Sequence, residues 1–435
     1  MTSAAPRPET EPVCEAEPVC EAEPVCEAEP GTAAAPRLAW LDALRGYAAV
    51  VVALFHASPF LIGTERHLAI YRHFDAGKYA VLLFFLVSGY VIPMSLERHG
   101  DLRRFWTGRI FRIYPAYLTT VVVALSVSLT VFGRTPDLSG TGALAHLTML
   151  HEFLGERGLV RPFWTLSFEM VFYLIVAGLF AWHRHRDSAW WAAGLTLIAL
   201  LAGPALPNGW CGADLRVVAV LLTVLLGAAL VAYAKGWHRP AGALGVVMVL
   251  LPLVAGHASG RVVSASSAQA TQLLAVMFAG TVVHRLQHGR IRREAAVVVL
   301  GLVFTGVSLQ DWVRGGSQLD LMRWTAVSVA VATTFAAANA LRRHAVPRVL
   351  TWLGEVSYPL YLLHVVVLGL AARFLDGPLA VGLGFTAGSL TCAWVVHRWV
   401  ELPGRALGRR LSVGKSTTEG AAPRTRSVGK QRESV

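Results

Sequence analysis

The stretch LDALRGYAAVVVALFH, from Leu41 to His56, decides how this chain is read. It is apolar enough to sit in lipid, yet it carries Asp42, Arg45 and His56. An ionisable side chain at the centre of a bilayer costs about 2.5–3.5 kcal/mol on insertion scales, so such groups mark function more often than ordinary packing. Arg45 and His56 are eleven residues apart, which is about three helical turns, so they share a face and lie roughly 16 Å apart along the axis. Asp42 precedes Arg45 by three residues, on the same side and within ion-pair reach. One edge of this helix is therefore polar along most of its length.

The rest of the chain repeats the apolar theme. Of 435 residues, 54% are apolar and only 15% are charged, where a soluble protein is nearer a quarter charged. Apolar blocks of bilayer-spanning length recur, at 38–56, 79–96, 115–133, 163–182, 189–205, 216–234, 240–256, 267–283, 294–311, 321–340, 352–375 and 379–399. The reading is an all-α, polytopic transmembrane bundle of about 10–12 spans. With the N-terminus inside, the inner loops hold sixteen Lys/Arg in 48 residues and the outer loops eight in about 83. That bias predicts both termini in the cytoplasm and a cytoplasmic (inner) membrane location. Outer segments 57–78 and 134–162 are long and rich in His and aromatic residues, and are candidates for function or re-entry.

The net charge of +12 is uneven. Residues 1–37 carry eight Glu against two Arg, whereas the stretch from Glu401 carries eight Lys/Arg against three Glu. A basic balance of this origin points to lipid headgroups and away from nucleic acid. The tail 1–37 repeats EPVCEA, placing Cys14, Cys20 and Cys26 alike. A thiolate cluster is one reading. Proline every six residues and little to bury favour a disordered low-complexity tail with no metal site. No basic stub and apolar run open the chain, so no cleaved leader is expected. The membrane domain is assigned to 38–405 and a disordered basic tail to 406–435.

Three further clusters carry chemistry. In PFWTLSFEMVFYL, 162–174, Glu169 lies near the expected depth of His56, where a carboxylate can orient an imidazole for general-base work. In DLRRFWTGRIFRIYP, 101–115, Arg109 and Arg112 share a helical face and suit phosphate. In VSYPLYLLH, 356–364, His364 follows Tyr358 and Tyr361 deep in a span. Each has a plainer reading: interface snorkelling for Arg45 and His56, a protonated interhelical Glu, ordinary positive-inside charge, a packing histidine. A nucleophile elbow and a P-loop are absent from the sequence.

These motifs together resemble acyltransferase family 3, the membrane-embedded O-acyltransferases. LDALRG with ten residues between Arg45 and His56 matches the family's opening. FFLVSGYVI (84–92), the Arg109/Arg112 pair, WTLSFEMVFYL (164–174), SYPLYLLH (357–364) and VELP (400–403) follow in order, so the likeness covers about 38–405. It implies transfer of an acyl group, often acetyl, from cytoplasmic acyl-CoA to a hydroxyl on a carbohydrate, an envelope glycan or a secondary metabolite such as a macrolide. Acyl-CoA is then a co-substrate, with no bound cofactor. His56 is the expected catalytic group with Arg45 beside it, Glu169 orienting His56, Asp42 and His364 supporting, and Arg109 and Arg112 binding the donor. Met170 stands where the family often has a second acid, and twelve spans exceed the roughly ten usual for it. The rival is a non-enzymatic carrier or flippase whose polar edge lines a substrate path.

Overall fold

The computed structural model describes residues 39–135, 139–156, 158–210, 212–256 and 266–413. The EPVCEA repeats, Cys211 and the chain beyond Val413 lie outside them. Helices account for almost everything described, and the lone β-bridge among these residues joins Asn208 to Ala255.

The first half contains α1 (Ala39–Ile62), α2 (Thr64–His73), α3 (Ala76–His99), α4 (Leu102–Thr130), α5 (Gly140–Thr148) and α6 (Trp164–Ala181). It continues with α7 (Ser188–Leu197), α8 (Leu215–Ala234), α9 (His238–Val247) and α10 (Leu250–Val254). The second half contains α11 (Ser267–Gln287), α12 (Arg293–Leu309), α13 (Gln318–Ala340), α14 (Arg348–Glu355), α15 (Ser357–Phe374), α16 (Pro378–Val396) and α17 (Leu402–Val413).

Among the described residues, nine helices are long and apolar enough to cross a membrane. The other three predicted spans fall on the α9–α10 pair, on α11 and on α12. Helix α11 misses the criterion because it is the centre of the bundle, not because it is short. Nearly all of it is buried by protein, so small and polar residues replace the large apolar ones that lipid demands. It lies against α3 almost backbone to backbone. A Cβ on Gly89 would come within 1.7 Å of the Met277 carbonyl, and one on Gly280 within 2.1 Å of that of Leu86. Thr281 Oγ1 donates to the Gly89 carbonyl at 2.7 Å. Such small-residue contacts are how helices pack where lipid removes the hydrophobic drive.

Four expected boundaries need correction. Helix α1 runs on to Ile62, past Pro59, so His56 sits inside a helix and not at its end. The outer segments 57–78 and 134–162 are largely helical, holding α2 and α5. The predicted span 352–375 is two helices, because α14 ends at Glu355 before α15 begins. Helix α14 lies across the start of α1, and a Cβ on Gly354 would meet the Asp42 carbonyl at 2.2 Å. Finally, the chain stays helical through Val413, so 406–413 is not tail. Helix α17 follows α16 through a π-helical turn, His397–Glu401, and packs along α4.

Candidate active site

Polar side chains line a file of four cavities, each sharing wall residues with the next. The largest is about 480 Å³ and includes His56, Tyr71, Lys78, Trp164, Asp311 and Trp324 in its wall. Helix starts build it. Asp75 caps α3, accepting from Lys78 N at 2.8 Å, and Lys78 Nζ lies 4.3 Å from the Trp164 ring centre. Asp311 accepts from Trp324 Nε1 at 2.6 Å and from Gln269 Nε2 at 2.8 Å. Burial pushes the Tyr71 phenol above its ordinary pKa, with Asp75 adding to the effect, so this hydroxyl stays a neutral donor.

His56 is held by its neighbours in one tautomer. Its Nδ1 lies 3.0 Å from the Val52 carbonyl, which only accepts, so Nδ1 carries the proton. The His364 Nδ1 lies 3.1 Å from the Leu360 carbonyl, and the same argument puts the proton there. His364 Nε2 is therefore bare, and it lies 3.2 Å from His56 Nδ1. The His56 Nδ1–H is shared between a carbonyl and an imidazole. Its Nε2 is left with the free lone pair, on a side chain that lines the cavity. An oriented imidazole with one bare nitrogen has the form of a general base.

Val81 and Tyr361 separate this cavity from the next and line both. The Tyr361 hydroxyl donates to the Pro162 carbonyl at 3.0 Å and lies 2.8 Å from Thr165 Oγ1. Beyond it are two small chambers of about 40 and 30 Å³, which share Arg45, Ser88, Glu169 and Tyr358. Each holds no more than a few waters, so the middle of the passage is its constriction. Arg109 and Arg112 line the last chamber and also an arginine-rich mouth of about 290 Å³ at the far end. The Arg109 guanidinium lies 5.2 Å from the Tyr173 ring centre and 5.5 Å from that of Phe105.

The shared face of Arg45 and His56 thus becomes one wall of the passage, and Arg109 and Arg112 share another. Two anticipated contacts are not made. Glu169 does not orient His56: its carboxylate accepts from the Tyr173 hydroxyl and shares its chambers with Arg45. Glu169 lines the two chambers that hold Arg45 and not the His56 cavity, and Tyr361, bonded to Thr165, lies in the wall between them. The side chain in contact with the His56 ring nitrogen is His364. Nor do Asp42 and Arg45 form an ion pair among the described residues. Asp42 lies beside α14, where a Cβ on Gly354 would meet its carbonyl.

A family model, described as the acyltransferase domain of acyltransferase family 3, matches residues 38–398. The chain belongs to this family. Among characterised relatives, it is 25% identical to acyltransferase MdmB of Streptomyces mycarofaciens over 414 residues, covering 87% of this chain and 94% of that protein. It is 25% identical to the O-acetyl transferase of Shigella phage Sf6, over 45% of this chain and 63% of that one. It is 31% identical to the exopolysaccharide production protein ExoZ of Rhizobium meliloti, over 30% of this chain and 43% of that one. No solved structure gives a significant match.

As a family 3 acyltransferase, the protein is a multi-pass membrane enzyme, and the passage is the place in it where the motif residues converge. Sequence reasoning missed Lys78, Asp311 and Trp324 at one end and Arg405 and Arg409 at the other. Lys78 and Asp311 are isolated polar residues near helix ends, Trp324 is a single aromatic within α13, and Arg405 and Arg409 pass for ordinary positive charge. Among the described residues no group of three or more His, Cys, Asp or Glu is placed to hold a metal; Cys14, Cys20 and Cys26 lie outside them.

Proposed function

We propose that this protein is an integral O-acyltransferase of the cytoplasmic membrane. It moves an acyl group, most simply acetyl, from acyl-CoA to a hydroxyl of a carbohydrate, an envelope glycan or a glycosylated secondary metabolite. The observation that carries this reading is the bare Nε2 of His56, with Nδ1 anchored to Val52 and His364, in a roomy cavity at one end of a passage that has arginines at the other.

In this reading the arginine mouth faces the cytoplasm, as do both termini. Arg109 and Arg112 receive the donor's phosphates, and the thioester arm runs past Arg45 toward Tyr361. The acceptor enters the His56 cavity, where Trp164, Trp324 and Tyr71 offer ring faces and Asp75, Asp311 and Gln269 offer hydrogen bonds. That mixture suits a polyhydroxylated ring. His56 Nε2 takes the acceptor's hydroxyl proton as the oxygen attacks the thioester carbonyl. The C–S bond then breaks, and the imidazolium returns its proton to the departing thiolate. His364 steadies the ring in both protonation states, because Nδ1–H donates throughout. A positioned base of this kind contributes roughly 10²–10⁴-fold, and positioning of donor and acceptor in the passage adds to it.

The test is mass spectrometry of envelope glycans and secreted metabolites from strains carrying the gene, lacking it, or carrying His56→Ala. The account expects an acyl increment on one hydroxylated molecule that only the intact gene restores. Equal acylation in all three strains refutes it.

A further inference from the structure

The mouth at the end opposite His56 contains more than the two arginines of the family motif. Five guanidinium groups line it, those of Arg104, Arg109, Arg112, Arg405 and Arg409, and no carboxylate does. Three of the five come from outside the motif, and two come from α17, beyond the residues matched by the family model.

Helix α17 is built to hold those two in place. A Cβ on Gly404 would come within 2.8 Å of the Phe111 carbonyl, and one on Gly408 within 2.7 Å of Phe111 Cβ. Glycines one turn apart thus let α17 lie directly on α4, beside Arg109 and Arg112. The π-helical turn before it carries Glu401, whose fully buried carboxylate accepts from His397 Nδ1 at 2.8 Å and from the Arg405 guanidinium. π-turns of this kind often mark functional positions. Glu401 fixes the Arg405 side chain, yet Arg405 Nε is buried with no hydrogen-bond partner. Arg104 and Arg409 are exposed and make no side-chain ion pair among the described residues. From Pro378 to Ser412 the helix is 35 residues long. At 1.5 Å per residue that is about 52 Å, well beyond a hydrocarbon core of about 30 Å, so α17 reaches the headgroup region and the water beyond.

The geometry points to α17 as the second half of the donor site: Arg405 and Arg409, with Arg104 from α4, bind the pyrophosphate and 3′-phosphate of the acyl-CoA nucleotide. This rests on the acyl-CoA reading given above. Guanidinium groups pair with phosphate oxygens in fixed, two-pronged geometry, and a cavity of about 290 Å³ leads through Arg109 and Arg112 to the narrow chambers that would take the thioester arm. Anionic lipid headgroups offer the same phosphate chemistry, so the test has to separate the two.

The experiment is equilibrium titration of CoA, dephospho-CoA and pantetheine into the full-length protein in phosphatidylcholine nanodiscs, which contain no anionic lipid. Wild type should bind CoA more tightly than dephospho-CoA, and dephospho-CoA more tightly than pantetheine, with the gap narrowing as salt rises. Arg104→Gln/Arg409→Gln changes two exposed residues and should fold normally. It should lower the CoA-to-pantetheine affinity ratio about tenfold or more, in line with charge-assisted hydrogen bonds. Arg410→Gln removes one charge from an exposed residue outside the mouth and should match wild type. Unchanged CoA affinity in the double variant overturns the proposal, as does an equal loss in Arg410→Gln, or a loss seen only when phosphatidylglycerol is added. In each of those cases wild-type CoA binding still supports the acyl-CoA reading. Failure of wild type to bind CoA at all overturns both.

Discussion

His364 Nε2 lies 3.2 Å from His56 Nδ1, and His364 is wholly buried. Two helices whose sequences are 308 residues apart meet at this contact. In the proposed mechanism His364 is a positioning residue, acting through His56. His364→Ala removes the acceptor and should lower kcat about tenfold or more, from the worth of one oriented hydrogen bond, with little change in donor KM. His364→Gln keeps an acceptor and should recover part of the rate. Equal loss in both variants would indicate a purely structural role.

Tyr361 and Val81 divide the His56 cavity from the inner chambers. Widening that division with Val81→Ala should improve turnover of longer acyl donors relative to acetyl. The gain should be several-fold per donor methylene accommodated, from about 0.8 kcal/mol for each buried methylene. A panel of acyl-CoA chain lengths reads this directly; an unchanged chain-length profile places the acyl group elsewhere.

Glu401 is a buried carboxylate that answers both His397 and Arg405. Glu401→Gln leaves the Arg405 guanidinium without its counter-charge and weakens the acceptor for His397, and removing one partner of a buried pair costs about 3–5 kcal/mol. Thermal unfolding in detergent should show a clear loss, together with weaker CoA binding. Wild-type stability in this variant would mean that solvent already screens the pair.

The Gly89–Gly280 contact tests the frame of the bundle. Gly89→Ala puts a methyl where the Met277 carbonyl now lies. Overpacking of this kind costs about 1–3 kcal/mol, more if α3 and α11 cannot separate. Gly108→Ala, whose added methyl meets nothing within 4 Å, is the control, and the two should differ sharply in thermal stability.

Much of this frame was legible in the sequence, for definite reasons. Lipid forbids exposed backbone, so spans announce themselves as apolar blocks, and each predicted block falls on helix. A helix of known pitch puts residues eleven apart on one face, so the common edge of Arg45 and His56 followed from counting. The same rule paired Arg109 with Arg112. What escaped were relations between helices. Nothing local to Glu169 says that it faces Arg45 and not His56, because the rotation of α6 is set by its neighbours. The His364 contact is non-local in the same way. Helix α17 escaped because its residues are polar enough to pass for tail; its order comes from two glycines fitting against Phe111, a tertiary fact.

The most direct measurement is the initial rate of CoA thiol release from acetyl-CoA by membranes containing wild-type or His56→Ala protein, with an extract of envelope glycans and metabolites as acceptor. The account predicts acceptor-dependent release in wild type and a fall of about 10²–10⁴-fold in the variant, at equal amounts of folded protein. A His56→Ala protein that keeps most of the wild-type rate would contradict it.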